Sequence, residues 1–494
     1  MQDQSTQDAQ TGDAAHVRFD QAFVVWLKIS LLSFGGPAGQ IAVMHRLLVE
    51  ELKWVSETRF LHALNFCMLL PGPEAQQLTI YLGWLLHRVR GGVVAGVMFV
   101  LPGALIVLVL SILYVSYQQT MAMGAIFFGV KAAVLAIVVT ALWRLAGRIL
   151  RQARLIAITM ASFLASFVFG VPFPLVILGA ALTALLWRVP TGGADDKAAE
   201  SNDTANDTAN DTVNDTGGET SGETSGDPVD PAAASRGVQP IIDRRVTDHR
   251  AAPSNRSALR AAGICAVLWL APVVILHGWL GAGHIYVQQG MFFSQVAVVT
   301  FGGAYAVLSY MAQQTVGHYG WLSAGEMLDG LGMAETTPGP LIMVTQFVGF
   351  IGAYRNPGML DPMLAGTLGA LVTTWVTFAP CFLWIFLGAP YIEALRGNRL
   401  LATALTGITA AVVGVVLNLA IWFGLRVMFG DLVEVTVPVT GQALQLPAIA
   451  SFDPLASAIT VSAFLAIAVF RVGMIKVLTT SACLGLAAGS VGLV

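Results

Sequence analysis

Long apolar stretches are the feature that most constrains what this 494-residue chain can fold into. Hydrophobic residues make up 56% of the sequence and charged residues only 11%, whereas about a quarter of the residues in a soluble domain are charged. A stretch of about 20 apolar residues crosses the roughly 30 Å hydrocarbon core of a bilayer as one helix. The sequence therefore predicts an all-α polytopic membrane protein.

These stretches predict about 13 transmembrane segments. The first six lie at about 22–44, 60–86, 91–117, 121–143, 155–171 and 173–187. A seventh lies at 261–277, and the remaining six lie at 287–311, 325–354, 364–391, 401–424, 454–470 and 477–493. Most lysines and arginines fall in loops on the side of the N-terminus. The positive-inside rule then places the N-terminus in the cytoplasm and, after an odd number of spans, the C-terminus outside.

A polar, acidic segment at 188–260 separates the two apolar halves. It repeats Asn-Asp-Thr triplets and Ser-Gly-Glu-Thr, and such a composition cannot bury enough apolar surface to fold. We predict a disordered cytoplasmic linker. The predicted organisation is a cytoplasmic N-terminal tail at 1–20, a first transmembrane repeat at 21–187, the linker at 188–260, a linker transmembrane helix at 261–277 and a second repeat at 287–494.

Short motifs of the first half recur in the second half at one constant offset. Ser33-Phe34-Gly35-Gly36 recurs as Thr300-Phe301-Gly302-Gly303, and Pro71-Gly72-Pro73 recurs as Pro338-Gly339-Pro340. Six spans followed by a single linker span start the second half on the opposite side of the membrane. We therefore predict two inverted-topology repeats, an arrangement with which many secondary transporters build a central substrate site.

The recurring Gly and Pro motifs interrupt four of the predicted spans. Broken backbone at membrane depth persists where it is buried in protein or lines a wet cavity, and helices that restart after a break point free N–H groups at the gap, which suits an anion. Proline kinks with close packing are the structural alternative. The predicted substrate-binding residues are Lys28, Ser33, Gly35, Gly36, Pro71, Gly72, Pro73, Gln76, Gln77, Lys131, Thr300, Gly302, Gly303, Thr337, Pro338, Gly339 and Pro340.

Two lysines within predicted spans and two glutamates beside the Pro-Gly-Pro turns are candidates for function. Lys28 and Lys131 lie within predicted spans, where a charge is costly unless it is paired or hydrated. For Lys28, snorkelling to the inner interface is an equally open interpretation. Glu74 and Glu335 bracket the two Pro-Gly-Pro turns, and either could carry a coupling proton or pair with a lysine.

At these motifs the sequence resembles the chromate transporter family in its long, fused form. The matching stretches are Phe34–Ile41, Leu64–Leu86, Val299–Ala306 and Gly330–Phe350. The resemblance covers nearly everything except the N-terminal tail and the linker. It implies export of chromate from the bacterial cytoplasm across the inner membrane, which gives chromate resistance, with the C-terminus in the periplasm. Sulfate or another oxyanion is the alternative substrate, since sulfate is a dianion of similar shape.

Three classes of function compete at the level of the sequence. A secondary transporter driven by the membrane potential or the proton motive force accounts for the broken spans and for the missing Walker motif. A membrane-embedded redox enzyme would need a cofactor, yet the sequence shows no GxGxxG after a strand and no clustered cysteines. A sensor or scaffold leaves the breaks unexplained. We expect no enzyme activity, cofactor, metal or nucleic acid, with chromate or sulfate and the lipid bilayer as partners and a homodimer as an open possibility.

Overall fold

A computed structural model describes residues 17–34, 36–189, 255–301, 304–389, 398–436 and 443–492, and these are almost entirely α-helical. The helices before the linker are α1 (Phe19–Leu32), α2 (Gly36–His45), α3 (Glu57–Met68), α4 (Glu74–Tyr117), α5 (Met121–Ile149), α6 (Ala153–Phe167) and α7 (Phe173–Leu186). Those after it are α8 (Asn255–Leu280), α9 (Ile285–Val299), α10 (Ala304–Ala312), α11 (Ala324–Thr336), α12 (Val344–Arg355), α13 (Pro362–Gly388), α14 (Arg399–Met428), α15 (Pro454–Ala468) and α16 (Met474–Ser490).

Several of these helices are suited to a membrane. Within the described ranges, α4, α5, residues 259–280 of α8, α13 and α14 are long and apolar enough to cross a bilayer. Shorter apolar helices are α6, α7, the segment Leu341–Arg355, α15 and α16. The chain is therefore a helical membrane protein, as the apolar stretches predict, and the number of crossings stays a prediction.

Four predicted spans are each interrupted where the glycine and proline motifs fall. The span at 22–44 divides into α1 and α2, and 60–86 divides between α3 and the start of α4. The span at 287–311 divides into α9 and α10, and 325–354 divides into α11 and α12. A π-helical turn extends α2 over Arg46–Glu51, and another extends α10 over Gln313–His318. The two halves thus interrupt and extend their helices at matching positions.

In the second half the interrupted spans are hairpins of two short helices. The ring of Phe292 in α9 lies 5.6 Å from that of Tyr310 and 5.5 Å from that of Tyr319, so the chain after the break runs back along α9. Similarly, Arg355 at the end of α12 contacts Glu326 in the first turn of α11 at 2.6 Å. One continuous helix would hold these two residues roughly 40 Å apart. The spans predicted at 287–311 and 325–354 therefore each comprise two short helices that fold back on each other.

Helix α4 also reverses direction. His87 and Arg88 have non-helical backbone angles, and φ of Arg88 is 54°. As a consequence Gly83 lies against Ala95, although an uninterrupted helix would separate them by about 18 Å. Residues 74–86 therefore form the second arm of a hairpin with α3, and residues 89–117 form a separate long helix, the long arm of α4.

The long arm shows that the two halves approach each other from opposite ends. At its beginning, His87 packs on Phe19 of α1, with ring centroids 5.4 Å apart. Near its middle, the carbonyl of Phe99 accepts a hydrogen bond from Ser30 at 3.0 Å. At its far end, the Tyr114 hydroxyl donates to Asp329 of α11 at 2.8 Å. Helix α1 thus contacts the arm at its beginning and middle, and α11 contacts it at its far end.

The terminal helices interleave the two halves. Helix α14 of the second half packs on α6 and α7 of the first, while α5 of the first half packs on α15 and α16 of the second. One hydrophobic core accordingly contains buried residues from both halves. This packing between helices of different halves holds the central hairpins in position relative to each other.

A short β-hairpin between α14 and α15 is a feature that the hydropathy pattern does not predict. Strands β1 (Leu432–Thr436) and β2 (Ala443–Pro447) pair antiparallel. Arg426 near the end of α14 stacks 4.0 Å from the Trp422 ring and donates to Gln445 of β2. The hairpin is thereby anchored at the end of a long apolar helix.

Candidate anion site where the helix breaks meet

Two equivalent hydroxyl residues end the helices that enter the breaks. The Ser33 hydroxyl donates to the carbonyl of Ile29 at 2.6 Å after α1, and the Thr300 hydroxyl donates to the carbonyl of Val296 at 2.6 Å after α9. Each hydroxyl bonds back to its own last turn. The backbone carbonyls of Ser33 and Thr300 therefore remain available to other partners.

Those carbonyls bind the Pro-Gly-Pro turn of the opposite half. The N–H of Gly72 donates to the Thr300 carbonyl at 2.8 Å, and the N–H of Gly339 donates to the Ser33 carbonyl at 2.9 Å. The pairs are equivalent under the sequence repeat, so each half contributes one donor and one acceptor. This crossed pair of hydrogen bonds joins the tips of the hairpins.

Glycine is required at both turns by the backbone. Gly72 has φ of 122° and Gly339 has φ of 103°, a region that residues with a side chain rarely adopt. A Cβ atom on Gly72 would also lie 2.9 Å from Nε2 of Gln77 and 3.1 Å from Sγ of Cys381. Gly339 lies against the backbone of Gly103, which is the repeat equivalent of Cys381. The turn chemistry therefore explains why the motif is Pro-Gly-Pro in both halves.

A pocket lies beside the crossed hydrogen bonds. Both halves line it with Pro37, Gln40, Gly72, Pro73, Glu74, Ala75, Thr300, Pro340, Leu341 and Ile342. Its volume in this conformation is about 20 Å³, which is room for about one water molecule. A tetrahedral oxyanion requires the pocket to widen.

Three helix starts open on this pocket. Helix α2 begins at Gly36, α4 begins at Glu74, and the 3₁₀ turn that leads into α12 begins at Leu341. The first N–H groups of a helix have no partner within it and carry a partial positive charge. The pocket is therefore suited to a negative charge, although no lysine or arginine lines it among the described residues.

Glutamines surround the turns. Gln40 donates to the carbonyl of Gly339 at 2.6 Å, and Gln77 donates to the carbonyl of Pro71 at 2.7 Å. Gln76 is fully buried, and both polar atoms of its side chain are without a hydrogen-bond partner in the described part of the chain. A buried amide without partners is costly, which makes Gln76 a candidate for a ligand contact once the pocket widens.

The two glutamates have different positions. Glu74 lines the pocket at the start of α4. Glu335 is buried, accepts a hydrogen bond from the Tyr305 hydroxyl at 2.7 Å, and is not among the residues that line the pocket. Of the two predicted candidates for a coupling proton, Glu74 therefore lines the pocket and Glu335 does not.

The remaining predicted site residues divide between the breaks and other places. Thr337 is buried, its hydroxyl donates to the carbonyl of Ala334 at 3.3 Å, and the Pro338 carbonyl contacts Gly103. Lys28 is exposed on α1 and does not line the pocket. Gly35, Gly302 and Gly303 lie outside the described residues. The structure therefore brings the Pro-Gly-Pro residues, Ser33 and Thr300 together, but not Lys28.

Lys131 lies in a second cavity and does not reach the pocket. This cavity has a volume of about 270 Å³ and is lined by Tyr114, Gln118, Met123, Gly124, Phe127, Lys131, Ser323, Gly325, Glu326, Asp329 and Arg355. The Lys131 ammonium is 3.4 Å from the Asp329 carboxylate. Helix α5 thus places the Lys131 side chain beside the first turns of α11, and its predicted role in substrate binding stays a prediction.

Sequence reasoning missed the partners of Lys131. Asp329 and Glu326 are acids in an otherwise apolar predicted span, and a charge in such a position is a functional candidate by default. That signal was available for both residues. Their pairing with Lys131 and Arg355 was not available, because it depends on how α11 packs against α5 and α12.

These observations define the class of protein to which the chain belongs. Long apolar helices make the chain a multi-pass membrane protein, and interrupted helices that meet at a buried pocket are typical of secondary transporters. In the described residues, no group of three or more His, Cys, Asp or Glu side chains could hold a metal ion.

The chain belongs to the chromate transporter family. The family model described as "Chromate transporter" matches residues 21–185 and 287–486, which is more than half of the chain. A protein named "Chromate transport protein" from Pseudomonas aeruginosa is 30% identical over 81% of this chain and 79% of its own length.

Other relatives are similar over comparable lengths. A "Probable chromate transport protein" from Synechococcus elongatus is 28% identical over 81% of this chain and 83% of its own length. A "Chromate transport protein" from Cupriavidus metallidurans is 25% identical over 80% of each chain. No solved structure matches this chain.

Proposed function

We propose that this protein is a secondary transporter that exports chromate from the cytoplasm across the bacterial inner membrane and so gives chromate resistance. The observation that carries the proposal is the pocket between the hairpin tips, lined by both halves and by three helix starts. Chromate is a dianion, and partial positive charges at helix starts stabilise an anion without a permanent countercharge. Sulfate has the same shape and charge, so it is the competing substrate of the same pocket.

The two halves act as inverted repeats in this proposal. The crossed bonds Gly72–Thr300 and Gly339–Ser33 are equivalent under the repeat, and the hairpins of each half lie beside opposite ends of the long arm. The four hairpins enter and leave the membrane on one side each, and the other predicted spans cross it. The N-terminus and linker are then cytoplasmic and the C-terminus is periplasmic.

The hairpin arrangement increases the excess of lysine and arginine on the cytoplasmic side, and this excess is the basis of the proposed orientation. Straight spans at 22–44 and 60–86 would place Arg46, Lys53 and Arg59 outside. In the hairpin arrangement these residues lie on the cytoplasmic side, together with the Arg88 reversal. The positive-inside rule supports this arrangement more strongly than the original one.

Transport requires the pocket to open alternately to the two sides. At about 20 Å³ the pocket is closed to an oxyanion in this conformation. Each Pro-Gly-Pro turn is bound to the break of the other half, so a rocking movement of one half against the other changes both contacts together. Such rigid movement around a central site is how inverted-repeat transporters alternate access.

Glu74 is the candidate coupling residue. It is the only ionisable side chain among the described residues that line the pocket. An ionised carboxylate there repels a dianion, whereas a protonated one does not. Protonation of Glu74 therefore favours binding of the dianion and its deprotonation favours release, which makes transport depend on pH.

The test is transport by the purified protein in proteoliposomes. Labelled chromate should cross the bilayer only in vesicles that contain the protein, and it should be recovered as hexavalent chromium. The inhibition of chromate transport by excess sulfate measures how strongly sulfate competes for the pocket. Recovery of reduced chromium without flux would instead indicate the redox enzyme. Vesicles that move neither chromate nor sulfate would contradict the proposal.

A further inference from the structure

The second cavity presents cations to its interior and hides its acids. The Lys131 side chain is 31% exposed, while that of its partner Asp329 is 5% exposed. Likewise Arg355 is 43% exposed and its partner Glu326 is 11% exposed. A ligand that enters the cavity therefore meets an ammonium and a guanidinium before it meets a carboxylate.

The two acids are occupied by neighbouring donors. Asp329 accepts from the Tyr114 hydroxyl at 2.8 Å and lies 3.4 Å from Lys131. Glu326 accepts from the backbone N–H of Ser323 at 2.8 Å and from Arg355 at 2.6 Å. Each carboxylate therefore lies beside a cation, Asp329 beside Lys131 and Glu326 beside Arg355.

The two cations keep unused donors. An ammonium has three N–H donors and a guanidinium has five. Lys131 directs one contact to Asp329, and Arg355 contacts Glu326 and, at 3.4 Å, the carbonyl of Trp321. The donors left over face a cavity of about 270 Å³, in contrast to the narrow pocket at the turns. An oxyanion fits this space without movement of the backbone.

We propose that the second cavity is a separate oxyanion-binding station, in which Lys131 and Arg355 bind the transported dianion at the end of its path. The proposal rests on the proposed function. The cavity adjoins the turn between α4 and α5 and the first turn of α11, which the hairpin arrangement of the proposed function places on the periplasmic side. Because each cation is already paired with an acid, its hold on the dianion is moderate, which suits release.

The experiment removes the cation without leaving its acid unpaired. Lys131→Gln alone leaves a buried charge, which is destabilising in itself, so the informative variant is Lys131→Gln with Asp329→Asn. Labelled chromate is offered at the periplasmic face in right-side-out vesicles and at the cytoplasmic face in inside-out vesicles. Lys131→Arg keeps the cation and tests whether the charge rescues binding, and Lys476→Gln, which removes an exposed charge on α16, is the control.

We expect the double variant to raise the apparent KM for chromate at the periplasmic face about tenfold or more, since a charge-assisted hydrogen bond is lost. The KM at the cytoplasmic face should change less, the Lys476→Gln control should match the wild type, and Lys131→Arg should show a smaller rise in KM than the double variant. A double variant that matches the wild type at both faces means that Lys131 only neutralises Asp329, and it overturns the station. An equal rise at both faces overturns it as well.

A second double variant tests the same proposal in case the first one fails to fold. Arg355→Gln with Glu326→Gln removes the other pair, and glutamine at position 326 can keep the capping contact with Ser323. This variant should show the same one-sided rise in KM. Failure of the proposed function is distinguishable, because then the wild type itself transports no chromate in either orientation.

Discussion

At the two Pro-Gly-Pro turns, a missing side chain allows the halves of the protein to touch. Gly72 and Gly339 both have positive φ, and each donates its N–H to the opposite half. Their surroundings differ, however. Gly72 faces the side chains of Gln77 and Cys381 within about 3 Å of a Cβ position, whereas the nearest atom to a Cβ on Gly339 is at 3.4 Å.

This difference predicts unequal effects of alanine. A side chain at such backbone angles costs about 1–3 kcal/mol, so both Gly72→Ala and Gly339→Ala should slow chromate transport. Gly72→Ala should be the more severe, because it adds a clash to the strain. The measurements are initial transport rates in proteoliposomes and thermal unfolding midpoints of the purified variants. Gly179→Ala, at an open position on α7, is the matched control, and equal activity of all three variants would remove the turns from the account.

The position of the two glutamates predicts which one sets the pH dependence. Glu74→Gln should flatten the pH profile of transport, because Glu74 lines the pocket. Glu335→Gln should leave the profile unchanged, because its carboxylate binds Tyr305 away from the pocket. The rate of each variant is divided by the wild-type rate at the same pH, which removes the titration of chromate itself. This ratio should vary with pH for Glu74→Gln and stay constant for Glu335→Gln. A pH profile that changes in Glu335→Gln but not in Glu74→Gln would contradict this prediction and would identify Glu335 as the proton carrier.

At the level of elements, the sequence predicts where helices break but not how they continue. Hydropathy measures the length of an apolar stretch, so 287–311 looks like one crossing. The Gly and Pro motifs reveal the interruption. The return of α10 along α9 depends on contacts such as Phe292 with Tyr310, which no local pattern contains. The same reason explains why Asp329 was missed as the partner of Lys131.

The hairpins predict the side from which the α2–α3 connection is reached. Thr58 is exposed at the start of α3, and Thr58→Cys should react with an impermeant maleimide only from the cytoplasmic side. Met359→Cys, in the exposed connection between α12 and α13, should react only from the periplasmic side. Both are made after replacing the native Cys265 and Cys483, of which Cys483 is exposed. Periplasmic labelling at position 58 would restore two straight spans and refute the hairpin topology of the first half.

At the scale of the molecule, the two halves are joined by packing as well as by the chain. Helix α14 packs on α6 and α7, and α5 packs on α15 and α16. This interleaving holds the halves together without help from the linker, whose repetitive, acidic composition gives no apolar surface to pack.

Deletion of most of 195–230 should therefore leave chromate transport within about twofold of the wild type, because helix packing holds the two halves together and the shortened linker still joins them. The comparison uses equal amounts of inserted protein, measured by immunoblot of the membrane fraction. A large loss of transport at normal insertion would mean that the linker takes part in gating or binds a partner.

The central claim is that a dianion moves through one pocket between the halves without a permanent countercharge. An uncompensated dianion that leaves a negative interior gains about 4.6 kcal/mol per 100 mV. The most direct test is chromate uptake into inside-out vesicles at equal pH, with valinomycin and external potassium making the interior positive. Accumulation that rises with the imposed potential and reverses with its sign is the predicted result. Accumulation that ignores both would contradict the account.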